Sequence, residues 1–279
     1  LKYLKFSSLT ALFFLFLSGT AIAQESDWET WPLADNVTLV VDAFFPNLDT
    51  KVRLDATDGS PGTTIDFEQN LGMNDTEALA GGGIAWRFSK RHKVKLERFQ
   101  LNRSGSAIAA TDIRFGDEVF TINLPISSFF DMRVTGVNYS YSLIFDEKKE
   151  FSIGLGLSVQ DFEFGIRGNG NTGLISAQSG ITAPVPTLDL RGAYAFTDKW
   201  IGRAGLGVFS FAITLESEDN LSGDVLNAFA AIEHKTFENV HFGLSYAYFD
   251  VGVDFDSESR LTSMGYQYNG PMISVIGAF

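Results

Sequence analysis

Phe151-Ser152-Ile153-Gly154-Leu155-Gly156-Leu157-Ser158-Val159-Gln160-Asp161-Phe162-Glu163-Phe164-Gly165-Ile166 is an alternating segment whose polarity inverts halfway along. Side chains of a strand point to opposite faces in turn. One face therefore carries Phe151, Ile153, Leu155, Leu157 and Val159 and then continues as Asp161 and Glu163, while Phe162, Phe164 and Ile166 take the other. A wall against lipid must be apolar outside, whereas a wall in water is polar outside and apolar inside. A strand that does both in succession is expected to leave a bilayer and continue into water. The competing source of such a swap is a β-bulge, which shifts the faces by one residue.

The same inversion recurs. Val37, Leu39, Val41, Ala43 and Phe45 run into Asn47, Asp49, Lys51, Arg53 and Asp55, with Leu48, Val52 and Leu54 opposite. Val240, Phe242, Leu244, Tyr246 and Tyr248 run into Asp250, Gly252 and Asp254, with Phe249, Val251, Val253 and Phe255 opposite. Phe145, Leu143, Tyr141, Tyr139 and Val137 lie below Thr135, Arg133 and Asp131 on one face, opposite Phe130, Met132 and Val134. Four inversions at similar heights favour projection over four separate bulges. The third strand fits least well, because Arg98 shares a face with Val94 and Leu96 and meets lipid unless it sits at an interface.

Polar turns at Ser89–His92, Asp146–Lys149, Thr197–Lys199 and Thr236–Asn239 alternate with longer connections near 56–75, 104–127, 167–183, 216–223 and 256–261. Short inner turns with longer outer loops are the outer-membrane barrel pattern. The expected fold is all-β: a transmembrane, antiparallel up-and-down β-barrel of about ten strands, eight to twelve in range, projecting above the membrane. The strands fall at 37–55, 76–88, 93–103, 128–145, 150–166, 185–197, 200–215, 224–235, 240–255 and 262–279. Thr63–Phe67 and Glu118–Ile122 form outer hairpins or a further strand pair. A soluble β-sandwich is the alternative for such strands.

Met272-Ile273-Ser274-Val275-Ile276-Gly277-Ala278-Phe279 resembles the C-terminal assembly signal of bacterial outer-membrane barrels, with Phe279 as its aromatic residue and Gly277 where a second aromatic is usual. Lys2 and Lys5, the apolar run Leu12–Leu17 and the small residues Ala21-Ile22-Ala23 read as a cleaved signal peptide at 1–23, leaving 24–279 as one barrel domain. Its apolar core is shorter than the roughly 20 residues of a membrane helix. Removing the two lysines takes the formal charge from −13 to −15, too acidic for a nucleic-acid or anionic-lipid binder. With no cysteine, neither a lipid anchor nor disulfides are available. Gln24–Asn36, with Trp28 and Trp31, is a short lead serving as a plug or an interfacial anchor.

In the lower half the inward positions include Asp42, Arg87, Lys95, Glu97, Asp189, Arg191, Arg203 and Glu233. Opposite charges balanced in a narrow lumen can pair, favouring a filled interior over an open, ion-selective pore. Higher up, Phe162, Phe164, Phe209, Phe211, Phe249, Val251 and Phe255 point inward, as a packed core or as the lining of an apolar chamber capped by loops 104–127 and 167–183. Asp250, Asp254, Asp256, Glu258, Glu216, Glu218 and Asp219 make the rim acidic: a solvated surface, or oxygen ligands for cations bridging to lipopolysaccharide. Surface hydrolases of the omptin and lipid A-modifying kinds place a His with acidic or Ser partners near the outer rim. Here His92, His234 and His241 all fall at lower strand ends, so no catalytic role is expected. No metal or other cofactor is expected either.

Gly62–Gly72, Trp86–His92, Arg103-Ser104-Gly105 and Ile113–Asp117 are similar to signatures of an uncharacterised family of proteobacterial outer-membrane β-barrel proteins. That resemblance implies the fold, the outer membrane as location, and outer-membrane lipids, lipopolysaccharide and the barrel assembly machinery as partners. It carries over no activity and no catalytic residues. The sequence reading is a non-enzymatic surface or structural barrel, or else a narrow channel or uptake protein for a small apolar or amphipathic ligand, with oligomeric state open.

Overall fold

The computed structural model describes residues 27–170, 173–214, 219–257 and 260–279. The expected signal peptide and the rim acids Glu216, Glu218 and Glu258 lie outside the described residues. The strands are β1 (Val37–Phe44), β2 (Asn47–Leu54), β3 (Ile65–Asp66), β4 (Leu79–Ser89), β5 (His92–Ile108), β6 (Ile113–Phe115), β7 (Glu118–Phe120), β8 (Pro125–Phe145), β9 (Lys149–Gly170), β10 (Gly173–Ala195), β11 (Trp200–Thr214), β12 (Asn220–Lys235), β13 (Val240–Asp256) and β14 (Leu261–Ala278). A short helix α1 (Phe67–Leu71) follows β3, and a 3-10 turn (Asp27–Thr30) precedes β1.

The long strands pair antiparallel in chain order, and β1 pairs with both β4 and β14, so the sheet closes on itself. Phe44 faces Met272 and Asn47 faces Asn269, one unbroken register along β14 across Phe45-Pro46. β1 and β2 are thus one stave, interrupted where Pro46 has no N–H to give the ladder. Counting them once, and setting aside the two-residue β3, leaves ten long staves. The Thr63–Phe67 segment contributes β3, and Glu118–Ile122 contributes β7, which pairs with β6 in a separate two-stranded sheet.

The inversion of polarity survives without bulges at mid-height. β9 pairs with β10 unbroken from Lys149 to Gly170, and β13 pairs unbroken with both its neighbours. On β9, Ile153, Leu155 and Leu157 are exposed on the outside, while Phe162, Phe164 and Ile166 above them are buried inside. Val159 pairs with Thr135 and Thr135 with Arg98, so Arg98 stands on the outer face at the level where that face turns polar. The apolar belt from Phe151 to Val159 spans roughly 27 Å along the strand, close to the ~25 Å band of an outer-membrane wall before tilt. Trp86, Phe88, Tyr194, Phe196, Trp200 and Phe237 are exposed around its lower margin, as an aromatic girdle would be.

Two expectations are corrected. Phe145 does not share the outer face: the register shifts between Ser142 and Ile144, exposing Ile144 and turning Phe145 inward. Residues 167–170 and 173–183, expected as a loop, are strand. β9 and β10 continue upward as a hairpin with Gly170 facing Gly173, because cross-strand pairing overrides the weak strand preference of its Gly, Asn and Ser residues.

What fills the top of the ring instead is chain from 55–78 and 109–124. Ile65, Phe67, Leu71, Ile113, Phe115 and Phe120 from these segments are buried in the same cluster as Phe130, Phe162, Phe164 and Ile166 of the wall. α1 is anchored by the Asp66 carboxylate, which accepts from the Gln69 N–H, and by Gly72 at φ +67°, a left-handed turn that suits glycine.

Candidate functional site

The lower end is stoppered. Trp28, Leu33 and Ala34 of the lead pack with Phe145, Ala195 and Ile201, with the Trp28 ring edge-on to Phe145 at 6.0 Å. Above this stopper Arg87, its guanidinium 4.4 Å over the Phe145 ring, donates to both Glu150 oxygens at 2.8 and 2.9 Å. Ser142 donates to the same carboxylate, and Lys93 lies 3.7 Å from it. Arg203 pairs with Glu233 at 2.7 Å. Glu150 and Lys93 had no place in the sequence-derived network, since each sits beside a turn and reads as a turn charge. Strand parity was the available signal: Glu150 shares the inward face of Ser152, and Lys93 that of Lys95.

The remaining predicted lumen charges lie higher. Lys95 meets Glu97 at 2.5 Å, Arg191 lies 3.7 Å from Asp189, and Asp42 accepts from the Ser274 hydroxyl. Asn138, which the sequence reading passed over, donates to Asp189.

All seven predicted upper residues belong to one apolar cluster, but in two roles. Phe162, Phe164 and Val251 are buried, and Phe209, Phe211, Phe249 and Phe255 pack half-buried against them. Phe164 meets Phe67 and Phe115, one ring from each inserted segment, at 6.3 and 5.9 Å. Arg103 donates to Glu68 and to the Thr50 hydroxyl, pinning α1 to the wall. Nearby, burial pushes the Asp55 carboxyl up, but the Arg53 guanidinium and the Gly62 N–H outweigh it and hold it below the usual carboxylate range. Burial among rings pushes the Tyr266 phenol well up.

Between charged floor and apolar cap lies a cavity of about 330 Å³. Gly81, Gly136 and Gly156 form part of its wall. Its lower lining includes Lys95, Glu97, Asn138, Asp189 and Arg191, and its upper lining Phe44, Phe99, Phe249 and Tyr268. Tyr268 joins these rings, stacked on Phe249 at 4.8 Å and edge-on to Phe44 at 5.3 Å.

The histidines keep to the lower strand ends: His92 bonds the Tyr139 hydroxyl, His234 sits against Trp200, and His241 is buried. Among the described residues no group of three His, Asp or Glu could hold a metal ion. Phe279 is exposed on the outside, and its carbonyl accepts from the Asn36 and Val37 N–H groups at the closing seam.

No family model and no curated protein matches the chain. Among solved structures it is similar to the outer membrane protease OmpT from Escherichia coli, with TM-score 0.56 and 10% identity over 88% of this chain and 97% of that one. It also aligns with the transport unit of the autotransporter AIDA-I from Escherichia coli (TM-score 0.42, 10% identity, 95% and 94% covered). A third is the Ralstonia pickettii toluene transporter TbuX (TM-score 0.38, 10% identity, 90% and 91% covered). The OmpT likeness is one of fold; identity at this level carries no activity across.

Proposed function

We propose that this closed ring is an outer-membrane barrel that takes up or holds a small amphipathic molecule in its mid-lumen cavity. The observation that carries the reading is the cavity's two-sided lining, charged below and aromatic above, at the lower end of the 300–1,000 Å³ range of ligand sites. Both ends of the lumen are filled, which favours a bound ligand over free conduction. In this reading residues 1–23 direct export, the apolar belt meets lipid, lipopolysaccharide surrounds the upper barrel, and the assembly machinery inserts the chain. A second reading, a rigid non-enzymatic surface element, draws support from the packed cap.

Replacing Ser158, whose side chain lines the cavity, by Trp should fill it. The barrel should still fold, shown by heat-modifiable migration on gels, and should lose at least tenfold in affinity for a fluorescent amphipathic probe. Undiminished probe binding would remove the cavity as its site.

The orientation has its own test. Lys90, Lys148 and Lys199 in the short turns should resist an impermeant amine reagent on intact cells, whereas cysteines introduced at the exposed Asp58 and Asp112 should react with an impermeant maleimide. The reverse pattern would invert the barrel.

A further inference from the structure

Building on the cavity reading, we propose that the ligand is a protonated amine on a short apolar chain. One carboxylate in the lining leads there. Lys95 and Arg191 are each taken up by a neighbouring carboxylate, Glu97 and Asp189. Asp42 is left with the Ser274 hydroxyl as its partner and has no ion pair among the described residues. A carboxylate facing a partly apolar cavity is completed best by a cation. Two residues further along the same face Phe44 begins the aromatic cluster with Tyr268, and ring faces attract an alkylammonium that has shed its water.

Gln160, on another part of the wall, offers no second site: it is 2% exposed, its Nε2 turned to Ser158 at 3.3 Å and its Oε1 closed off from the cavity space. A carboxylate ligand is repelled by Asp42, an alcohol gives it one hydrogen bond and leaves its charge unmatched, and an ammonium supplies both the hydrogen bond and the opposite charge.

The test uses full-length barrel refolded in detergent micelles and titrated calorimetrically with hexylammonium, hexanol and hexanoate, with the Ser158→Trp protein as the blank for micelle partitioning. Hexylammonium should bind at least tenfold tighter than hexanol, and hexanoate weakest. Asp42→Asn should bring hexylammonium and hexanol to within about twofold. Hexanol or hexanoate binding as tightly as hexylammonium would overturn the amine assignment and leave the cavity reading standing. No probe binding above the blank would overturn both. Should Asp42→Asn fail to give heat-modifiable barrel, the order of the three probes on the unaltered protein decides alone.

Discussion

Phe164→Ala should lower the stability of the refolded barrel by about 3–5 kcal/mol, the range for truncating a buried ring in a core that cannot collapse around the void. Phe164 is 0% exposed and touches Phe67 on one side and Phe115 on the other. The void would therefore open between two inserted segments and the wall, each held by its own backbone. Urea unfolding of micelle-embedded protein, followed by tryptophan emission and gel shift, measures the loss. Phe249→Ala is the internal comparison. That ring is half-buried, stacked on Tyr268 and bordering space that is already empty. Its truncation should cost about 1–2 kcal/mol from lost area and stacking, while changing probe affinity. Equal losses for both variants would mean that cap and cavity do not differ in packing.

Glu150→Ala should be as damaging by a different route. It leaves the Arg87 guanidinium, and Lys93 close by, without the carboxylate that both face at the bottom of the lumen. Removing one partner of a buried pair typically costs 3–5 kcal/mol, because the remaining charge is stranded where water cannot reach it. The double variant Arg87→Met, Glu150→Leu should recover most of that loss, since packed apolar residues can replace a buried pair at little cost. A single variant as stable as the parent would show that solvent reaches the stopper region.

Much of this was legible in residue order. Strand parity alone placed Asp42, Arg87, Glu97, Arg203 and Glu233 inside, and the change from Val159 to Asp161 on one face located the level where the wall leaves its apolar belt. Three things were hidden for physical reasons. The bulge that turns Phe145 inward is a matter of one extra residue in register, which no periodicity announces. The strand character of 167–170 and 173–183 depends on pairing with a partner already in place, and their Gly- and Asn-rich composition argues the other way. The cavity is lined from many staves, and even its wall residues Gly81, Gly136 and Gly156 come together only through the registers of β4, β5, β8 and β9.

The first stave also bears on how copies of this protein share a surface. Above Phe44 its β2 portion has β14 on one side, and β4 begins too low to cover the other. That open edge is taken by the chain's own 55–78 segment: Val52 pairs with Ile65, the Thr50 N–H donates to Glu68, and the Leu48 N–H donates to the Asp75 carbonyl. In the proposed outer-membrane setting every copy would stand upright at the same depth, so bare strand edges would meet neighbours already aligned for sheet formation, the arrangement that promotes edge-to-edge aggregation. By spending α1 and its flanks on that edge, the chain turns a sticky slot into a finished surface, and in that setting crowded barrels would diffuse past one another without zipping together.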